Sequence, residues 1–149
     1  MKELLFLTPV FKYRIWGNDK LKTYYPMIKE NNIGESWVIS AHENGPSTIL
    51  NGTFKGQNLN DIYKTHPELF DNIKAESFPL LVKMIDAHDR LSVQVHPDDD
   101  MASQFNSYGK TECWYILDAD EDAEIIYGHT THSKEEFRNL LESGKYDEL

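Results

Sequence analysis

Cysteine is nearly absent. Cys113 is the single one in 149 residues, so no intrachain disulfide can form and a zinc knot built on cysteines is excluded. That composition suits a reducing compartment and points to the cytoplasm. Basic charge is also in short supply: 15 Lys and Arg stand against 25 Asp and Glu, for a formal net charge of −10, and the acids are spread along the chain instead of forming a tail. A surface of that sign argues against nucleic acid or an anionic membrane as partner. It leaves room for a phosphorylated small molecule, because a few well-placed cations and a metal ion set the local field. Long apolar runs are missing at the start, where Leu4-Leu5-Phe6-Leu7 follows Glu3; this is neither a secretory signal nor a membrane span. No repeat or low-complexity linker divides the chain. With 40% hydrophobic and 12% aromatic residues it has enough material for one domain with a core.

What is present is organised around Leu91-Ser92-Val93-Gln94-Val95-His96-Pro97-Asp98. In an extended strand side chains alternate, so Ser92, Gln94 and His96 share one face while Leu91, Val93 and Val95 share the other. A turn-rich segment leads through Gly109-Lys110-Thr111 to Glu112-Cys113-Trp114-Tyr115-Ile116-Leu117, a second predicted strand that brings a carboxylate beside His96. Imidazole, amide oxygen and carboxylate together suit Zn²⁺ or a similar divalent ion. The alternative is a hydrogen-bonded His at a strand end. Lys110, two residues before Glu112, lies on the same face; it is either a group that acts on a ligand or a cation paired with nearby acids.

Along the rest of the chain, Leu4 to Leu7 reads as a strand that feeds an aromatic and basic segment through Trp16-Gly17, where Trp16 reads as a loop anchor. Gly34 to His42 alternates as a strand, with Glu35 at its start either a surface charge or a carboxylate facing a pocket. Asn51-Gly52 predicts a hairpin between residues 47–50 and 53–55. Leu59, Ile62 and Tyr63 have helical spacing behind Asn58 as N-cap, and Pro67 limits that helix to about two turns. Phe78 to Asp86 is a nearly continuous apolar run, as in a strand buried on both faces. Lys83 interrupts it and must pair, face a polar cavity or reach solvent at the sheet's edge. Ala87-His88-Asp89-Arg90 then predicts a hairpin to the next strand. Asp98-Asp99-Asp100 lacks the spacing of a calcium loop and reads as a helix or turn N-terminus. Ala123 to Gly128 is another predicted strand, and Ser133-Lys134-Glu135-Glu136 is a capping box before a helix with Phe137, Leu140 and Leu141 on one stripe. His129 and His132, in the connection between them, are either rival metal ligands or part of a solvated connection. About seven strands and two or three short helices make a mainly β chain, a sandwich or barrel.

Pro79-Leu80-Leu81-Val82-Lys83, Leu91 to Asp99, and Gly109 to Leu117 resemble, in the right order, the signature blocks of type I mannose-6-phosphate isomerases in their short bacterial form. The resemblance implies a cupin-type β-sandwich, a jelly-roll relative, with the metal in the barrel mouth. It implies one Zn²⁺ held by Gln94, His96 and Glu112. It places Trp16 and Glu35 on the substrate side, where Lys83 and Ser92 join them, and makes Lys110 the first candidate for proton transfer or charge stabilisation. The implied reaction interconverts mannose 6-phosphate and fructose 6-phosphate, so the partner is a small sugar phosphate. Family enzymes continue well beyond 149 residues. Their later half brings a further ligating His and an Arg, in blocks that this sequence does not contain, so it resembles the N-terminal portion of an isomerase catalytic domain with an incomplete sandwich. Two alternatives stand beside an enzyme: a non-catalytic metal- or sugar-binding cupin module, and an inactive fragment that self-associates through uncovered sheet edges.

Overall fold

The computed structural model describes residues 4–73 and 75–149. The chain divides into two compact units, Met1–Ser92 and Val93–Leu149. Among the described residues five strands form where about seven are expected, all in the first unit: β1 (Leu7–Thr8), β2 (Val10–Tyr13), β3 (Ile33–Ser40), β4 (Thr48–Ile49) and β5 (Leu81–Ile85). β1 pairs with β4, and β3 lies between β2 and β5 in a second antiparallel sheet. β3 is the longest and best buried strand, rich in the aromatic and β-branched residues that fit a pleated surface.

Alternation gives this sheet two unlike faces. Phe11, Ser36 and Met84 lie in register on one of them. That face packs near α1 (Leu21–Tyr24), where Leu21, Ile28 and Ile33 form a buried core with Phe11, Tyr25 and Met84 against it. The buried Asp86 ties α1 to the end of β5, its Oδ2 accepting from the Leu21 amide at 3.2 Å. Ser36 is fully buried there, and its hydroxyl has no hydrogen-bond partner among the described residues. The other face carries Lys12, Glu35, Trp37 and Lys83.

α2 (Leu59–Thr65) buries Leu59, Ile62 and Tyr63, the predicted stripe, and Pro67 ends it by opening a 3₁₀ turn over Pro67–Phe70. Tyr63 then meets the rings of Phe70 and Phe78 edge-on, with centroids 5.1 and 5.4 Å away. Asn58 occupies the N-cap position, but its Oδ1 faces the Thr48 hydroxyl at 3.5 Å and caps nothing. The chain reverses at Asn51-Gly52 in a wider turn than the predicted hairpin: Gly56 and Gln57 bond back to Ile49, and residues 53–55 lie within the turn. Positive φ at Gly52 and Gly56, 63° and 88°, permits that path.

The run from Phe78 to Asp86 is not doubly buried. β5 pairs with β3 alone among the described residues and exposes Leu81, Val82 and Ile85. A continuous apolar run therefore marks an edge strand here, and no hairpin follows residues 87–90. The predicted strands at 91–98, 112–117 and 123–128 are likewise absent. Sequence alternation can specify an extended chain, but a strand needs a ladder partner, and these segments have none among the described residues. Their apolar side chains are correspondingly exposed, Val95 at 84%, Tyr115 at 87% and Tyr127 at 95%.

The second unit is built from helices and turns. Asp98 is the N-cap of α3 (Asp99–Ser103), its Oδ1 accepting from the Met101 amide at 2.8 Å, and Asp99 and Asp100 fill the first turn as expected of that acidic run. Ser133 caps α4 (Lys134–Glu142): its Oγ accepts from the Glu136 amide, while the Glu136 carboxylate accepts from the His132 amide at 2.8 Å. A 3₁₀ turn over Tyr146–Glu148 follows. Among the described residues no helix is long and apolar enough to cross a membrane.

Candidate active site

In the second unit, the segment after α3 folds back on its own start. The Gly109 amide donates to Asp99 Oδ1 at 2.9 Å and the Lys110 amide to the Pro97 carbonyl at 3.3 Å. Gly109 has to be glycine for this approach, since a Cβ there would stand 2.8 Å from both the Asp99 nitrogen and Oδ1. Two hydrogen bonds thus replace the sheet ladder expected between these segments. They bring Glu112 to His96, with Oε2 and Nε2 3.1 Å apart, while Lys110 Nζ lies 2.9 Å from the other oxygen, Oε1. The hydrogen bond from Lys110 comes first in holding the Glu112 carboxyl below the usual carboxylate range; partial burial opposes it, and the charges of Lys110 and His96 add to it. Glu112 is therefore ionised at neutral pH and ready to accept. Gln94 and Ser92 are exposed. Among the described residues no group of three His, Cys, Asp or Glu side chains gathers at one point.

The first unit holds a different arrangement. Glu35 is buried, and its Oε2 accepts from the Arg14 guanidinium and from the Trp37 indole N–H, both at 2.8 Å. Its Oε1 stands 3.7 Å from Lys83 Nζ. β-Pairing explains the cluster: Lys12 is opposite Glu35, and Lys83 is opposite Trp37. Lys83, read as pairing, facing a polar cavity or reaching solvent, takes a paired and half-buried position. Trp16 is half-buried, and a Cβ on Gly34 would meet its ring at 2.6 Å. The following residue, Gly17, lines a cavity of about 160 Å³ with Asn18, Asp19, Asn32 and His88.

His129 and His66 are engaged locally. His129 Nδ1 bonds the Thr131 hydroxyl at 2.9 Å and its ring packs on Phe137; His66 pairs with Glu68. Lys12, Arg14 and Trp37 are the residues that sequence reasoning passed over. For Lys12 the signal was alternation across Val10–Tyr13, hidden because that stretch reads as an aromatic, basic connection instead of a strand.

A family model described as phosphomannose isomerase type I, catalytic domain, matches residues 4–139. Mannose-6-phosphate isomerase ManA of Bacillus subtilis (strain 168) is 47% identical over 149 residues, covering 99% of this chain and 47% of that protein. Mannose-6-phosphate isomerase of Streptococcus mutans is 49% identical over 151 residues, covering 100% of this chain and 48% of the relative. The crystal structure of the Bacillus subtilis mannose 6-phosphate isomerase superposes with a TM-score of 0.91 at 45% identity, covering 97% of this chain and 47% of that one. The fold class is thus mainly β, of the cupin type, with short helices. The chain belongs to the type I phosphomannose isomerase family. It spans about half the length of the relatives it matches.

Proposed function

We propose that this chain serves the reversible conversion of mannose 6-phosphate to fructose 6-phosphate, as the N-terminal part of an isomerase catalytic domain. The single observation that carries the reading is the His96–Glu112–Lys110 cluster, placed in the blocks that resemble the family's signature. His96 and Glu112 fit a divalent ion. Two ligands at roughly 2.0–2.1 Å on a tetrahedral centre stand about 3.3 Å apart, close to the 3.1 Å between Nε2 and Oε2. Lys110 occupies only the other carboxylate oxygen, so it leaves Oε2 free for a metal. Gln94 is the proposed third ligand, and zinc the proposed ion.

The reaction removes the proton on C2, returns one to C1, and moves the hydroxyl proton from O2 to O1, so the atoms balance. A bound divalent ion supplies polarisation of the sugar oxygens, which lowers the cost of developing negative charge. Lys110 is the candidate to move a proton or stabilise that charge. Glu35, Lys83, Trp16 and Ser92 are assigned to hold the sugar phosphate. Residues 1–149 titrated with Zn²⁺ should show the His96 imidazole signals shifting at stoichiometric metal, and His96→Ala should abolish the response. A coupled assay for fructose 6-phosphate with metal present then tests turnover; sugar affinity without turnover would leave a non-catalytic binding module.

A second reading is favoured by the exposure of Val95, Tyr115 and Tyr127: a second copy of the chain covers these residues, giving a self-associating protein. Sedimentation across a concentration series tests it, and a monomer throughout would remove it.

A further inference from the structure

The β2–β3–β5 face turned away from the Leu21, Ile28 and Ile33 core gathers Lys12, Arg14, Lys83 and Glu35 around Trp37. Three cations meet one carboxylate, so two positive charges remain over, on a chain whose formal charge is −10. Glu35 accepts from Arg14 and Trp37 on Oε2, and Lys83 pairs with Oε1 at 3.7 Å. Lys12 is not neutralised. Its ammonium donates to the Asn44 carbonyl at 2.6 Å and lies 4.5 Å from the centre of the Trp37 ring, and among the described residues no carboxylate pairs with it. Lys83 Nζ attends the same ring at 5.3 Å. A carbonyl and a π-face orient an ammonium without cancelling its charge.

Room for Lys12 comes from Gly45. A Cβ there would stand 2.9 Å from Lys12 Nζ and 3.2 Å from Cε, so any larger residue would displace the ammonium. A half-buried cation held in place this way, beside a second one, is costly until an anion arrives. A phosphate monoester supplies two negative charges and three acceptor oxygens, and gains charge-assisted hydrogen bonds from both lysines.

We propose that Lys12, held by Gly45 and Trp37, forms with Lys83 and Arg14 a binding site for the phosphate of a phosphomonoester. This rests on the reading of Glu35 and Lys83 as substrate-side groups and extends it to residues that the signature blocks do not include. The test follows the Trp37 indole N–H by ¹⁵N NMR in residues 1–149, the signal being the one lost in Trp37→Phe. Inorganic phosphate and mannose 6-phosphate should both move it, and unphosphorylated mannose should not. Lys12→Gln should weaken phosphate binding about tenfold, and Gly45→Ala should weaken it without removing a charge. Lys55→Gln, at an exposed lysine, should change nothing. A Trp37 signal indifferent to phosphate, or equal effects of Lys12→Gln and Lys55→Gln, would overturn the proposal. Lys12-dependent phosphate binding with His96 imidazole signals indifferent to Zn²⁺ would instead sustain this site and defeat the isomerase reading; a Zn²⁺-shifted imidazole with phosphate binding untouched by Lys12→Gln would do the reverse.

Discussion

The two units of this chain are stabilised by different physics. Met1–Ser92 contains both sheets and nearly every buried apolar side chain, among them Leu21, Ile28, Ile33, Ile49, Leu59 and Ile62. Val93–Leu149 buries Ala102 as its hydrophobic representative and is held by caps and loop hydrogen bonds. One unit draws its stability from apolar burial between segments distant in sequence, the other from helix caps and from loop bonds that span 10 to 18 residues. The consequence is that a core substitution and a turn substitution should have effects confined to different places, although both regions carry candidate site residues.

The largest effect should follow Ile62→Ala. Ile62 is 0% exposed, and deleting such a side chain removes about 2–5 kcal/mol, whereas Ile126→Ala, at an exposed residue of the same type, should stay within about 0.5 kcal/mol. Denaturant titration of both variants measures the contrast, and equal losses would break the comparison between units. Next comes Gly109→Ala, which forces a Cβ onto Asp99 and should cost about 1–3 kcal/mol. Its sharper readout is separation of His96 from Glu112, seen as loss of the Zn²⁺-induced imidazole shift while the amide resonances of β3 stay in place.

A smaller effect attends pH. Because the folded Glu112 carboxyl titrates below its unfolded value, its contribution is fully present above the ordinary carboxylate range and is lost as pH falls through the depressed folded value. Lys110→Met should raise the Glu112 titration midpoint, since the leading cause of the depression is removed; carboxyl ¹³C NMR against pH checks it. The smallest change is expected from Ser36→Ala. The Ser36 hydroxyl is buried without a partner among the described residues, so its removal should leave the melting temperature unchanged or slightly raised, the opposite sign to Ile62→Ala on the same unit.

Local signals were legible wherever a few consecutive residues decide the conformation. Asp98 and Ser133 cap their helices, Pro67 stops α2, and the stripe Leu59, Ile62, Tyr63 is buried as its spacing predicts. β3 runs where the alternation from Gly34 onward placed it. The segment at 91–98 alternates just as clearly and those at 112–117 and 123–128 are apolar enough for strands, yet none forms one, because a ladder is a property of two segments and a sequence pattern describes one. The apolar run at Leu81–Ile85 was legible as a strand, while its position at the sheet's edge was not.

By itself the sequence determined the caps at Asp98 and Ser133, the length of α2, the central strand, the excess of acid and the blocks shared with the type I isomerase family, since each is written in neighbouring residues or in their order. Tertiary structure alone decided which ionisable groups meet. Antiparallel register set Lys12 against Glu35 and Lys83 against Trp37 across gaps of more than twenty residues. A backbone approach that only Gly109 tolerates brought His96 to Glu112. Charge, hydrogen bonding and steric exclusion act through space over a few ångströms, and the distance between two residues along the chain does not fix that separation.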